Sequence, residues 1–317
     1  MTRTRIPIWT ALAGAVLIGV LTALQARING QLGVRLEDGF VAAVISFGSG
    51  LVLLVLLSLA LPAGRRGFRT LRSQLRARSI PVWMLCGGVA GALTVATQGL
   101  AVGIIGVALF TVGVVAGQAV CGLVLDRTGF GPAGAVAVTP ARVAGGALAL
   151  VAAGISLTGG GARQVPTWML VLPLLVGVGL SWQQATNGRL RQRLGTPLTA
   201  TLVNFVGGTL VLAIAALVHV AVVGPPASLP TDPWLYLGGA TGVLYIFLSA
   251  AIVSYTGVLL LGLASVVGQL GTALLMDTLW PAPASPGLAI ELAMVLVAFA
   301  SVVVAAVPWR SVLRRRG

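Results

Sequence analysis

A chain whose apolar stretches recur about every twenty residues, with its charges standing between them, folds only where hydrocarbon replaces water as the solvent. Ten such stretches run at approximately residues 8–28, 40–62, 80–101, 104–125, 139–158, 167–187, 198–222, 233–253, 256–276 and 288–308. Each can cross a hydrocarbon core as a helix, which takes about 20 mostly apolar residues. Charged residues are 8% of the 317, against about 25% in an average soluble domain, so a soluble surface would lack its solvating groups. Disorder is excluded because it requires low hydrophobicity. The expectation is an all-α, polytopic protein of ten transmembrane helices in the cell membrane, with the lipid bilayer as its first partner. Met1 to Ile18 has the look of a signal peptide, but Leu24 to Ala26 is a poor cleavage site.

All 20 basic residues are arginine, and six acidic residues leave a net charge of +14. In a soluble chain that balance would suggest nucleic acid. Here the arginines cluster between apolar stretches, so they are read as setting membrane orientation, with no nucleic-acid partner. With a cytoplasmic N-terminus, 17 of the 20 fall on the inside, and Arg27, Arg35 and Arg163 fall outside. Both termini are then cytoplasmic, as an even helix count requires. The longest polar segment, Ala63 to Ser79, carries six of the inside arginines and reads as a linker.

The residue inventory excludes most chemistry. His219 is the single histidine, and Cys86 and Cys121 each lie within an apolar stretch. One histidine without a Cys/Asp/Glu cluster makes neither a zinc site nor a catalytic triad. Without lysine there is no phosphate-cradling P-loop. The expectation is therefore no metal, no cofactor and no enzymatic activity.

Self-similarity is the most informative pattern. Residues 19–50 slide onto 177–208 with an offset of 158 and no gap, and 11 of 32 positions are identical. Among them Gln25 meets Gln183, Asn29 meets Asn187, Phe47 meets Phe205 and Gly50 meets Gly208. Residues 83–132 slide onto 234–283 with an offset of 151, and 15 of 50 are identical. There Gly87-Gly88 meets Gly238-Gly239, Gly91 meets Gly242, Gly106 meets Gly257, Gly117-Gln118 meets Gly268-Gln269 and Asp126 meets Asp277. Two five-helix repeats follow, 1–158 and 159–317. Five is odd, so the second enters the membrane inverted, the plan of many secondary transporters whose site lies between the halves near the midplane.

Each half carries Q-x-x-x-N-G-x-L at the end of its first helix and G-Q-x-x-x-x-x-x-x-D in its fourth. In these motifs the chain resembles the YdcZ-type family of inner-membrane exporters, within the drug/metabolite transporter superfamily. The resemblance spans nearly the whole chain and corresponds to the fused, two-repeat form. It implies transporter-like architecture without supplying a substrate. Small multidrug exporters of the same superfamily use a glutamate midway along their first helix, and this chain has none there.

Polar residues inside the apolar stretches are the candidate substrate path. Gln25 and Asn29, and Gln183 and Asn187, sit four residues apart, on one helix face. Amides in hydrocarbon either bridge helices or line a wet cavity. Gln184 and Trp182 adjoin the second pair. Gln118 and Gln269 lie deep in their helices, each beside a glycine that would give a ligand room to approach. With helices 139–158 and 288–308 peripheral, both glutamines are expected to face a central water-accessible cavity. Gln98, Tyr245, Thr94, Ser249 and Asn204 are further polar candidates. The G-x-x-x-G pairs Gly87/Gly91 and Gly238/Gly242 read as helix packing. Asp126 and Asp277 are the repeated carboxylates, at helix ends where interfacial capping competes with a coupling role. Glu291, one turn into the last stretch and roughly opposite Arg142 of the first half, is the third coupling candidate.

The reading is a secondary transporter by alternating access, exporting small metabolites or amphipathic compounds, its partner a small-molecule substrate, with room for a homodimer. The alternatives are a lipid-carrier flippase, which would need a basic groove at mid-depth, and a non-transport membrane assembly protein, which has no reason to keep paired amides.

Overall fold

The computed structural model describes residues 7–156, 166–279 and 288–306. Within them the chain is helical, without strands. The long helices are α1 (Ile8–Leu36), α2 (Gly39–Ala60), α3 (Pro62–Arg76), α4 (Gly87–Thr97), α5 (Gly103–Thr128), α6 (Pro140–Ser156), α7 (Thr167–Leu194), α8 (Pro197–Val223), α9 (Gly238–Leu279) and α10 (Leu288–Ala306). Among the described residues, six helical stretches are long and apolar enough to cross a bilayer.

One of these, Pro233–Met276, has 44 residues. As a straight helix it would run about 66 Å at 1.5 Å per residue, roughly twice a hydrocarbon core. It is not straight: Gly257 sits at φ 75°, ψ 174°, a region open essentially to glycine alone. Gly106 breaks α5 in the same way, at φ 79°, ψ 168°. These two glycines are partners under the 151-residue offset. The expected boundaries after 101 and 253 are thus breaks at single glycines rather than loops. In the first half the break is preceded by a π-helical turn, Gln98–Val102.

Helix starts follow from local chemistry. Asp38 caps α2, accepting from the amides of Phe40 and Val41 at 2.9 and 3.0 Å. At the matching position Thr196 caps α8, accepting from Leu198 N at 3.2 Å. Such caps satisfy amides that have no intrahelical partner. The segment Ala63–Ser79 departs from its reading as a linker. Most of it is the helix α3, whose arginines stay exposed while Gly64, Gly67 and Leu71 are buried.

Packing joins the two halves helix by helix. Helix α1 lies along α9, α7 along α5, α2 against α8, and α6 against α10. Glycines set the closest approaches. A Cβ on Gly19 would run into the backbone of Ser265 and Gln269, and one on Gly177 into that of Val114 and Gln118. These are the same contact made twice, since 19 pairs with 177 and 114 with 265. Bare glycine lets helix backbones touch, which is how helices associate where lipid offers no hydrophobic contrast.

Candidate functional site

The polar interior is built around two amide clusters, one on α1 and one on α7. In the first, Gln25 Nε2 donates to the Gly238 carbonyl at 2.9 Å. Asn29 Nδ2 donates to Gln98 Oε1 at 2.8 Å. Gln98 stands at the start of the π-helical turn, a distortion that recurs at functional sites because it re-aims side chains. Gly238 and Gly242 keep the space open, since a Cβ there would press on Asn29 Oδ1 and on Gln25 Nε2 respectively.

The second cluster repeats this from the other direction. Gln183 Nε2 donates to the Gly87 carbonyl at 3.3 Å. A Cβ on Gly87 would lie 2.6 Å from Asn187 Oδ1, and one on Gly91 2.7 Å from Gln183 Nε2. The G-x-x-x-G pairs therefore make room for amide side chains of the opposite half. Their neighbours Gly88 and Gly239 take the close backbone contacts, against Asn204 and Gly208, and against Ser46 and Gly50.

One substitution between the halves makes the clusters unequal. Asn204 Oδ1 accepts from Gln183 Nε2 and from Asn187 Nδ2, both at 3.1 Å, and ties the second pair together. Its partner under the 158-residue offset is Ser46, whose shorter side chain makes no such tie. Gln25 Oε1, Asn29 Oδ1, Ser46 Oγ and Gln98 Nε2 are all buried without a hydrogen-bond partner. In the second cluster Asn204 Nδ2 and the adjoining Gln184 Oε1 are left over. An unpaired buried polar atom costs about 1–3 kcal/mol, so the first cluster carries the larger unmet demand. Tyr245 and Ser249, one turn apart on α9, add two more buried hydroxyls without partners.

Gln118 and Gln269 stand apart from these clusters. Both are buried. Gln118 Oε1 has no partner, and Gln269 Nε2 reaches Ser265 Oγ at 3.5 Å. The glycine beside each, expected to give a ligand room to approach, is instead occupied by a neighbouring helix. Gly117 is filled by the backbone of Leu174 and Val178, and Gly268 by that of Val16 and Val20.

Asp126 is fully engaged. It forms an ion pair with Arg142 at 3.1 Å and accepts from Val258 N and Leu259 N at 2.8 and 3.2 Å. It is 2% exposed, so it is a cap, though a buried one: it closes the helix end created by the Gly257 break in the other half. A carboxylate there also meets the positive end of the helix dipole. The side chains of Asp277 and Glu291 lie outside the described residues.

Sequence reasoning missed several groups. Ser46 could have been found by reading the offset at every polar position, not only at identities. Arg27 and Gln31, with Leu24, Ile28, Trp234 and Met276, line a cleft of about 490 Å³ on another face of α1. The 24-27-28-31 spacing marks that face. A second, apolar groove of about 460 Å³ runs beside Leu93, Trp182 and Leu212. His219, read only as incapable of metal or triad chemistry, pairs with Asp38 at 3.1 Å.

Comparison with known proteins follows the same outline. The family described as "Putative inner membrane exporter, YdcZ" matches residues 10–157 and 168–306. No curated protein matches the chain. Seventeen solved chains are similar to it. One, described as "Crystal structure of protein", is 20% identical with a TM-score of 0.59, covering 94% of this chain and 96% of that one. At that identity the likeness is one of fold.

Proposed function

The chain belongs to the YdcZ family of inner-membrane exporters, and from that premise we propose a secondary transporter that exports small metabolites or amphipathic compounds by alternating access. The proposed frame is ten spans in two inverted five-helix repeats, 1–158 and 159–317, with both termini cytoplasmic. The observation that carries it is reciprocal exchange across the halves. Gln25 of the first half bonds to Gly238 of the second, and Gln183 of the second to Gly87 of the first. A pair of halves that grip each other through the same contact twice can trade conformations, giving inward-open and outward-open states of similar energy.

In this reading the substrate path runs past Gln25, Asn29 and Gln98, where unmet hydrogen-bonding demand is concentrated. Tyr245 supplies a further hydroxyl, and Gln183 and Asn187 form the tied counterpart. Gln118 and Gln269 belong to the path only in a conformation that parts α1 from α9 and α7 from α5. Of the coupling candidates Asp126, Asp277 and Glu291, Asp126 acts as a latch between the halves.

The test is reconstitution in liposomes with a screen of candidate metabolites, with and without a pH gradient. Gln25→Leu and Asn29→Leu are expected to keep folded yield and lose flux of the compound found. Flux equal to wild type in both overturns the site. A reporter fused after Gly317 that reads as periplasmic overturns the orientation.

A further inference from the structure

Helix α3 breaks the likeness of the two halves. It sits where the repeat offset changes from 158 to 151. The matching stretch of the second half, residues 224–232, is not helical. It contains three prolines, one aspartate and no arginine.

Three faces of α3 have distinct chemistry. Gly64, Gly67 and Leu71 form the buried one, with Gly64 against Ser58 and Gly67 against Thr196 and Thr199. Next to it, seven residues apart, Phe68 and Leu75 are 55% and 44% exposed. Beyond them Arg65, Arg69, Arg72 and Arg76 follow at steps of four, three and four, which align side chains along one helix face. The helix contains no acidic residue. Among the described residues Asp126 pairs with Arg142 and Asp38 with His219, so neither carboxylate reaches α3. Arg65 donates to the Leu59 carbonyl and Arg66 to that of Pro62. Arg69, Arg72 and Arg76 stand exposed and without a partner among the described residues.

An exposed aromatic and aliphatic pair beside a stripe of unpaired cations fits neither water nor hydrocarbon alone. It fits the boundary between them, where the apolar face enters the acyl region and the cations meet headgroups. Guanidinium groups suit phosphate because they bind it bidentately. A two-leaflet membrane also supplies the asymmetry that the near-symmetric protein lacks, since anionic lipid on the cytoplasmic side attracts basic segments next to it.

We propose that α3 is an in-plane interfacial helix that binds anionic phospholipid, with Arg69, Arg72 and Arg76 on the headgroup phosphates and Phe68 and Leu75 in the acyl layer. The inference rests on the chain's place in a membrane, with α3 on the cytoplasmic side as in the proposed orientation, and stands whether or not the transport reading does.

The experiment uses the full-length protein in dodecyl maltoside, wild type and R69Q/R72Q/R76Q. Each is titrated with phosphatidylglycerol, phosphatidylcholine or inorganic phosphate, with lipid binding read by native mass spectrometry and stability by thermal melting. Wild type is expected to prefer phosphatidylglycerol and to melt higher with it. The triple variant should melt like wild type without lipid and bind phosphatidylglycerol roughly a hundredfold more weakly, from about fivefold per arginine. Equal response to the two lipids, a response to phosphate alone that matches the lipid's, or unchanged binding by the triple variant overturns the proposal. If the variant does not fold, wild type at about 0.5 M salt decides the matter, because phosphatidylglycerol binding that ignores salt is not headgroup recognition by these arginines.

Discussion

Phe47 of α2 and Phe205 of α8 stack on each other, ring centroids 4.6 Å apart and planes 25° apart, and they are the same position of the two halves. Each ring is fully buried and rests on the other half's glycine, Phe47 on Gly208 and Phe205 on Gly50. A residue that stacks on its own copy marks where two related halves meet. Phe47→Ala and Phe205→Ala should each cost about 3–5 kcal/mol, the range for an emptied aromatic site. Thermal melting in detergent should show both falling by similar amounts. A variant that melts like wild type would remove this stack from the interface.

The glycine contacts give a sharper comparison. Gly19→Val and Gly177→Val place side-chain atoms where α9 and α5 backbones already lie, and backbone cannot move aside as a flexible side chain can. Both should abolish folded yield. Gly48→Ala has nothing within 4 Å of the added Cβ and should express normally. Equal yields for Gly19→Val and Gly48→Ala would refute the close packing of α1 on α9.

Asn204 and Gln25 should separate stability from transport. Asn204→Ala strips the shared acceptor from Gln183 and Asn187, leaving Asn187 Nδ2 unmet and Gln183 Nε2 with the Gly87 carbonyl alone. About 1–3 kcal/mol of stability should be lost for the unmet donor. Gln25→Leu removes an Oε1 that is already unpartnered and an Nε2 bond to the Gly238 carbonyl, which still accepts from Thr241 Oγ1, so its melting temperature should fall less than that of Asn204→Ala while flux falls. Ser46→Asn should carry the tie of the second half into the first and slow transport by filling the unmet positions. Faster flux in Ser46→Asn would reverse the assignment of the open cluster.

Asp126 should behave as half of a buried pair. Removing one partner of such a pair costs about 3–5 kcal/mol, because the other charge is left buried alone. Asp126→Ala should lose more than Arg142→Ala, since Asp126 also caps Val258 and Leu259. A double-mutant cycle on melting free energies should return a clear coupling between them. Additive losses would show that the pair contributes no more than two separate contacts.

How much was legible in advance divides along a physical line. Helical class, membrane placement and the matched amides were readable because each depends on properties carried along the chain: hydropathy over a span's length, charge between spans, and self-similarity at fixed offsets. Gly106 and Gly257 were visible as a repeated pair, and their conformations agree within a few degrees. What they do was not visible, since a glycine within an apolar run reads the same whether it packs or breaks a helix. Helix α3 was hidden by a reading that weighed its arginines as charge and not as a face.

Composition and pattern by themselves determined that this chain is helical and membrane-embedded, because both follow from the solvent each residue can tolerate. Only the tertiary structure decided which copy of each polar group is satisfied. Asn204 closes one amide cluster and Ser46 leaves its counterpart open, and Asp126 spends its charge on a helix of the other half. Those outcomes depend on distances of a few ångströms between residues some 20 to 210 positions apart, and no periodicity along a chain encodes such a distance.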